Sequence, residues 1–192
     1  MQETGTRINK YMSQCGYCSR READRLIEKG EVWINGTLAT MGTKVMPGDT
    51  VMVHHTTITP CQKEYLLAFH KPAGIVCTTS KIDKNNVIDY LNFPDRIYPV
   101  GRLDKESTGL LLLTNNGQLM DDILRGSNYH EKEYIVHVNK PITDSVLQAM
   151  AQGVPILDTI TRPCKIRRMG KDCFYITLTQ GLNRQIRRMC EY

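Results

Sequence analysis

Four consecutive leucines follow a loop-like segment that contains a single aspartate. The stretch Gly101–Gly117 reads GRLDKESTGLLLLTNNG, and its leucines, Leu110–Leu113, predict a buried strand. The polar residues and Gly109 before the leucines predict a loop that brings Asp104 to the edge of that strand. A carboxylate in such a loop can act as a general base, as a nucleophile or as a cap for the turn. Position alone leaves these three roles open.

Strand-like and helix-like segments alternate loosely along the chain. Strands are predicted at Tyr65–His70, Leu110–Thr114, Glu133–Val138 and Phe174–Leu178. Helices are predicted at Asn86–Leu91, Gly117–Leu124, Asp144–Gln152 and from Asn183 onward. The spacing of a doubly wound parallel sheet is missing, so we expect an α+β fold. We predict two domains, residues 6–62 and 63–192, which separate at the segment Thr56–Glu64.

The N-terminal part carries local signals for two helices followed by short strands. Ser19-Arg20-Arg21-Glu22 fits a capping box, in which Ser19 accepts from the Glu22 amide and Glu22 reaches back. Gly16 is placed to end the preceding helix. The helix Arg20–Lys29 then has an apolar face formed by Ala23, Leu26 and Ile27. Turns are predicted at Asn35-Gly36 and at Pro47-Gly48-Asp49.

The seven cysteines indicate reduced thiols. They stand at positions 15, 18, 61, 77, 164, 173 and 190, an odd number without framework spacing, which argues against a disulfide scaffold. The pair Cys15-x-x-Cys18 lacks both further zinc ligands nearby and the βαβ context of a redox motif. We therefore expect no metal site and treat both cysteines as small core residues. The five histidines show no ligand spacing either.

Positive charge is concentrated near the end of the chain. Residues 162–192 carry eight lysines and arginines against two acids, whereas residues 1–61 carry seven against six. Such a segment predicts a contact surface for phosphates, with a solvated basic face as the alternative. We find no apolar run near 18 residues and no N-terminal signal-peptide pattern. We therefore expect a cytoplasmic protein with no membrane partner.

The segment Arg7–Val51 resembles the S-four module, a small RNA-binding domain named after a ribosomal small-subunit protein. It reads RINKYMSQCGYCSRREADRLIEKGEVWINGTLATMGTKVMPGDTV. In that family a two-helix element presents basic residues to structured RNA. The resemblance implies contacts with RNA phosphates by Lys10, Ser19, Arg20, Arg21 and Arg25.

Four later segments resemble the RsuA branch of the pseudouridine synthases. In chain order they are HKPAGIVCT, GRLDKESTGLLLLTNNG, EKEYIVHV and QGLNRQIRRM, and the resemblance spans roughly residues 7–192. It implies a catalytic domain with a mixed or antiparallel sheet. It also implies isomerisation of a uridine to pseudouridine in large-subunit (23S) ribosomal RNA, without any cofactor. The expected partner is this RNA, bound by a monomer.

The resemblance implies a role for each residue of the motifs. Asp104 is the carboxylate that attacks the target uridine or its ribose. Tyr134 stacks on the flipped base, and Arg187 pairs with Asp104. Arg102 fills the space that the base leaves in the RNA or clamps a phosphate. Contacts with the RNA backbone, or support of the residues that touch the substrate, are implied for Asn183, Arg184, Gln185 and Arg188. A role in shaping the turn beside the pocket is implied for Lys71, Pro72 and Gly74.

Other functions remain open on the sequence. A transfer RNA of similar stem-loop shape is an alternative substrate. A non-catalytic RNA-binding or ribosome-assembly factor could share the fold. A glycoside hydrolase would pair Asp104 with Glu106 or Glu133.

The end of the chain departs from the family pattern. Family members continue past the basic helix into a further strand and helix, whereas this sequence ends at RRMCEY. We therefore expect the catalytic domain to be incomplete at its C-terminus, with an unfilled sheet position and weakened activity.

Overall fold

The chain divides into two compact units, Met1–Met120 and Asp121–Tyr192. The structure is a computed structural model, which describes residues 5–80, 82–125 and 129–192. The unit boundary falls inside the predicted catalytic domain, so the predicted domain boundary at residues 62 and 63 stays a prediction. Within the described residues no helix is both long and apolar enough to cross a membrane.

The first unit begins with two short helices packed on small antiparallel sheets. Its elements are β1 (Thr6–Arg7), α1 (Ile8–Gln14), α2 (Arg20–Glu28), β2 (Val32–Ile34), β3 (Thr37–Leu38), β4 (Lys44–Val45), β5 (Val51–Val53) and β6 (Thr56–Ile58). The strand order is β3-β2-β5-β6 in one sheet, and β1 pairs with β4. One apolar cluster holds the helices on the strands, and its fully buried members include Met12, Ala23, Val32 and Val51. We refer to residues 6–58 as the module.

The structure confirms the predicted end of α1 and start of α2. Gly16 follows α1 with a φ of +70°, a left-handed conformation that glycine adopts without strain. The Ser19 hydroxyl accepts a hydrogen bond of 3.1 Å from the Glu22 amide. The Glu22 carboxylate does not reach back as predicted, because it accepts from Arg25 at 3.1 Å instead. One half of the capping box is therefore formed.

Local turn chemistry fixes the hairpins of the module. Asn35 and Gly36 have φ angles of 49° and 78°, which suits a two-residue hairpin between β2 and β3. The Asn35 side chain also donates to Asp49 at 2.7 Å and accepts from the Thr50 amide at 2.9 Å, so it joins two predicted turns. The segment Thr56–Glu64, at which the two domains are predicted to separate, begins with three residues that pair with β5 as strand β6.

A second sheet in the first unit supports the aspartate loop. It is formed by β7 (Leu66–Lys71), β8 (Tyr98–Val100) and β9 (Gly109–Thr114) in the order β7-β9-β8, with α3 (Val87–Leu91) nearby in sequence. The buried-strand prediction is correct for Leu111 and Leu113 and wrong for Leu110, which is 67% exposed. Because side chains alternate along a strand, only every second leucine can face the core of this sheet.

A buried lysine ties the aspartate loop, residues 101–108, to the end of β7. The Lys71 side chain is 0% exposed. Its Nζ donates to the carbonyl oxygens of Pro72 at 2.7 Å, Lys105 at 3.0 Å and Ser107 at 2.8 Å. The Gly74 amide donates to the same Lys105 carbonyl at 2.9 Å. The loop is therefore held by the buried ammonium group of Lys71 and by the Gly74 amide in the turn after β7.

The second unit is an antiparallel sheet with two helices. After α4 (Gly117–Leu124), which spans the unit boundary, come β10 (Lys132–His137), α5 (Asp144–Gln152), β11 (Pro155–Ile156), β12 (Thr159–Ile160), β13 (Lys165–Arg168), β14 (Cys173–Leu178) and α6 (Gln185–Glu191). The main sheet has the order β10-β14-β13, and β11 pairs with β12. Phe174 and Ile176 of β14 are fully buried with residues of α5 and α6. Helices and antiparallel strands thus confirm the α+β class.

Loss of the Ser19 cap should destabilise the module. We expect Ser19→Ala to lower its free energy of unfolding by about 1 kcal/mol, because an amide at the start of α2 loses its acceptor. Ser19→Asp should retain most of the stability, since aspartate also caps helices. Urea unfolding can be followed by the fluorescence of Trp33, the only tryptophan in the chain. Equal stability of the alanine and wild-type proteins would contradict the assigned cap.

Removal of the Lys71 ammonium group should lower the free energy of unfolding more than loss of the Ser19 cap does. We expect Lys71→Met to lower the free energy of unfolding by at least about 3 kcal/mol, because three carbonyl oxygens lose a charged donor. Lys105→Met is the matched control, since Lys105 is an exposed lysine of the same loop. Its effect should stay within about 0.5 kcal/mol. Circular dichroism in urea measures both, and equal losses would refute the anchoring role of Lys71.

Candidate active site and RNA-binding surfaces

Asp104 lies on an exposed turn between two paired strands. The loop leaves β8 at Val100 and enters β9 at Gly109, and the Ser107 amide donates to the Asp104 carbonyl at 3.0 Å. The Leu103 amide donates to the Cys77 sulfur at 3.4 Å, one more tie between the loop and the core. Asp104 and Arg102 are both exposed, so a macromolecular substrate can reach them. The backbone of the loop is fixed, while its carboxylate remains accessible.

The sequence did not predict that Lys71 would contact the aspartate loop directly. The motif resemblance implied only a role in shaping the turn, whereas the structure gives Lys71 direct contacts with the loop. A signal was present in the sequence. Leu67, Phe69 and Lys71 occupy alternate positions of one strand, and the first two pack against the core. Strand periodicity therefore predicts an inward position for Lys71 as well.

Tyr134 lies on the core-facing side of β10 in the second unit. It pairs with Ile176 of β14, which is fully buried, so both side chains share one face of the sheet. The Tyr134 side chain remains 40% exposed. Partial burial raises its pKa above the usual value for tyrosine, so the hydroxyl is neutral at physiological pH. The residue can offer both an aromatic surface and a hydrogen-bond donor.

Helix α6 packs on that same face and carries the basic motif. Its buried Met189 joins the cluster that contains Ile176. The Gln185 side chain accepts from the Leu182 amide at 3.0 Å and thereby fixes the turn before the helix. Arg188 donates to the Asn183 carbonyl at 3.1 Å, whereas Arg184 and Arg187 are exposed. Arg188 thus has a structural contact besides the predicted one with RNA.

The basic segment before α6 is partly engaged in contacts within the unit. Arg168 donates to Asp144 at 2.6 Å and to the Ile142 carbonyl at 2.7 Å, which ties β13 to the start of α5. Lys165 donates to Glu131 at 2.8 Å, and the Arg167 guanidinium lies 4.2 Å from the centre of the Tyr175 ring. These three cations therefore have partners within the unit, and the phosphate-contact surface stays a prediction.

The predicted RNA contacts of the module lie on its two helices. Arg20, Arg21 and Arg25 are exposed on α2, and Lys10 is half-buried on α1. Ser19 caps α2, so its hydroxyl already accepts one amide. The structure brings these five residues into one helical pair, as the resemblance implies.

The predicted catalytic residues are distributed over both units. Arg102 and Asp104 share one loop of the first unit, and Tyr134 and Arg187 belong to the second. The pairing of Asp104 with Arg187 therefore stays a prediction, as do the individual roles of all site residues.

The cysteines of the first helical pair are protonated thiols. Burial raises the pKa values of Cys15 and Cys18 to about 11, and both pack against the module core, as predicted. All seven cysteines are free. Among the residues that the structure describes, no group of three or more His, Cys, Asp or Glu side chains is arranged to hold a metal ion.

Known proteins share both parts of the chain. The RNA pseudouridylate synthase family matches residues 65–192, and the S4 domain matches residues 6–51. The dual-specificity RNA pseudouridine synthases RluF of Salmonella typhi and of Escherichia coli K12 are 54% and 52% identical over 192 residues. Each alignment covers 99% of this chain, and the chain spans 66% of the length of those proteins.

More distant relatives agree with this assignment. The ribosomal large subunit pseudouridine synthase B of Bacillus subtilis is 33% identical over 96% of this chain and 79% of its own length. A crystal structure of a pseudouridylate synthase superposes with a TM-score of 0.62 at 26% identity, covering 97% of this chain and 82% of that one. These findings confirm the resemblance drawn from the four sequence segments. The chain belongs to the RNA pseudouridylate synthase family and has an S4 domain ahead of its synthase domain.

Proposed function

We propose that this protein converts a uridine of large-subunit ribosomal RNA to pseudouridine, with Asp104 as the catalytic carboxylate. The observation that carries the proposal is the aspartate loop itself. Its backbone is held by the buried Lys71 while Asp104 is exposed to an approaching RNA. A reactive group held in this way needs little reorganisation when the substrate arrives. Membership of the synthase family supplies the reaction class.

The reaction is an isomerisation that balances without any co-reactant. Asp104 attacks the uridine or its ribose, and the bond between N1 of uracil and C1′ of ribose breaks. The freed uracil turns within the site, and C5 forms the new bond to C1′. C5 then loses its proton and N1 gains one, so no electrons, water or group carrier are consumed. The aspartate is regenerated in the last step.

Tyr134 and Arg187 provide the complementary interactions in this proposal. Extrusion of a base from an RNA helix costs a few kcal/mol, and an aromatic ring that stacks on the base offsets part of this cost. A guanidinium next to a carboxylate favours the ionised form, which is the nucleophilic one. Arg102, exposed two residues before Asp104, fills the space left in the RNA or binds a phosphate.

The module and the basic end of the chain provide affinity for RNA. Arg20, Arg21 and Arg25 form an exposed basic surface on α2, which suits phosphate contacts that carry no sequence information. We propose that the enzyme binds RNA as a monomer in the cytoplasm. A transfer RNA of similar stem-loop shape is a second candidate substrate, and the dual specificity of the RluF relatives favours a second RNA.

The catalytic assignment is tested in cells that lack the gene. Pseudouridine is mapped in total ribosomal and transfer RNA after complementation with wild type, Asp104→Asn or Glu106→Gln. We expect wild type to restore at least one large-subunit site and Asp104→Asn to restore none, because an amide is not a nucleophile. Glu106→Gln is the matched control, since Glu106 is an exposed acid of the same loop, and it should restore the site. Restoration by Asp104→Asn would overturn the proposal.

The RNA-binding role of the module predicts a change in salt dependence. We expect the double variant Arg20→Gln/Arg21→Gln to bind RNA more weakly, with a slope of log K against log salt reduced by about 0.7–0.9 per lost phosphate contact. Lys29→Gln is the matched control, because Lys29 is an exposed cation at the other end of α2. Filter binding at several salt concentrations gives the slopes. An unchanged slope in the double variant would show that α2 does not contact phosphates.

A further inference from the structure

The segment between the module and β7 is held at both of its ends. The Cys61 amide donates to the Gln14 carbonyl of α1 at 3.4 Å. On the other side, the Asn115 side chain donates to the Lys63 carbonyl at 2.8 Å and accepts from the Tyr65 amide at 2.9 Å. A flexible linker would instead let the module sample many positions. These contacts give the module a defined place relative to β9.

The end of α1 contacts the start of β8 directly. The hydroxyl oxygens of Ser13 and Tyr98 are 3.1 Å apart and share a hydrogen bond. The Arg96 guanidinium lies 5.1 Å from the centre of the Tyr98 ring. Gly16 sits so close that a Cβ atom there would lie 3.8 Å from Cβ of Arg96. We call the contact formed by Ser13, Gly16, Arg96 and Tyr98 the junction.

We call residues 59–65, between the module and β7, the linker, and an aromatic contact joins it to the same region of the chain. The Tyr65 ring meets the Phe93 ring edge-on, with 5.0 Å between centroids. A hydrogen bond between the Tyr65 hydroxyl and the Asp95 carboxylate raises the pKa of Tyr65 to about 12. Linker and junction are therefore parts of one network around residues 93–98.

Strand β8 connects the junction to the aspartate loop without any intervening segment. Tyr98 stands six residues before Asp104. An extended chain of that length spans at most about 22 Å. The strand cannot shift freely, because Tyr98 pairs with Thr114 and Val100 with Leu112 of β9. A displacement of the module at Tyr98 would therefore be opposed by the sheet that supports the loop.

We propose that the Ser13–Tyr98 contact fixes the distance from the RNA-binding face of the module to Asp104, and so determines which uridine of a bound RNA reaches the carboxylate. The inference rests on the proposed function and adds two positioning residues to it. An RNA bound by α2 would then extend to Asp104 over a constant distance. A substrate too short to reach the module gains nothing from the junction. The junction therefore acts on site selection rather than on the chemical step.

The test compares Ser13→Ala, Tyr98→Phe and the double variant on two RNAs. The long RNA carries the mapped uridine in its natural context. The short RNA is trimmed until Arg20→Gln/Arg21→Gln no longer changes its binding. On the long RNA we expect each single variant to lower kcat/KM about fivefold, as loss of one hydrogen bond predicts, and the double variant to lose no more. On the short RNA all three should match wild type.

Tyr90→Phe is the matched control, because Tyr90 is an exposed tyrosine of the same unit, 56% accessible, whose ring contacts Phe69 of β7. It should leave both RNAs unaffected. Equal losses on long and short RNA would mean that the junction only stabilises the fold. Unchanged kcat/KM of the junction variants on the long RNA would mean that the junction plays no part in substrate positioning. Either result overturns the inference.

Hydrogen exchange tests the junction without relying on turnover. With Asp104→Asn, which should bind RNA without reacting, saturation with the long RNA should slow amide exchange across residues 101–108. When Ser13→Ala and Tyr98→Phe are introduced into the Asp104→Asn protein, RNA at equal saturation should no longer slow amide exchange across these residues. No slowing at all, or slowing that persists without the junction, overturns the inference. If wild type forms no pseudouridine, the proposed function fails while this measurement still decides the coupling.

Discussion

The arrangement of the aspartate loop depends on one buried ammonium group. Transfer of an isolated charge from water into a protein core is so unfavourable that such groups persist only with close partners. Lys71 finds its partners in three backbone carbonyls, two of them in the loop that carries Asp104. A rearrangement of the loop would remove two of the three acceptors and leave the charge poorly compensated. The backbone that carries Asp104 is therefore stabilised by the acceptors that Lys71 requires.

Features governed by neighbouring residues were predictable from the sequence. The helix stop at Gly16, the cap at Ser19 and the Asn35-Gly36 turn all follow from the chemistry of a few adjacent residues, and the structure has each of them. The main strands and helices also lie within one or two residues of their predicted limits, which is the usual uncertainty at the ends of elements. The family resemblance rested on motifs of the same local kind.

Features governed by distant partners were not predictable in this way. Strand β13 has the sequence KIRR, whose three cations argue against a strand. It forms because β14 supplies a template and because Arg168 finds Asp144 across the unit. The exposure of Leu110 was not predictable for the same reason. Whether a leucine on a strand is buried depends on which distant elements cover that face of the sheet. The Ser13–Tyr98 contact joins residues 85 positions apart and leaves no local trace in the sequence.

The partly buried thiols of the module have a consequence for the protein's reaction with oxidants. Peroxides and electrophiles react with thiolates, and the raised pKa values of Cys15 and Cys18, about 11, favour the unreactive protonated form at neutral pH. Cys15 and Cys18 can therefore lie beside α2 with low reactivity toward oxidants.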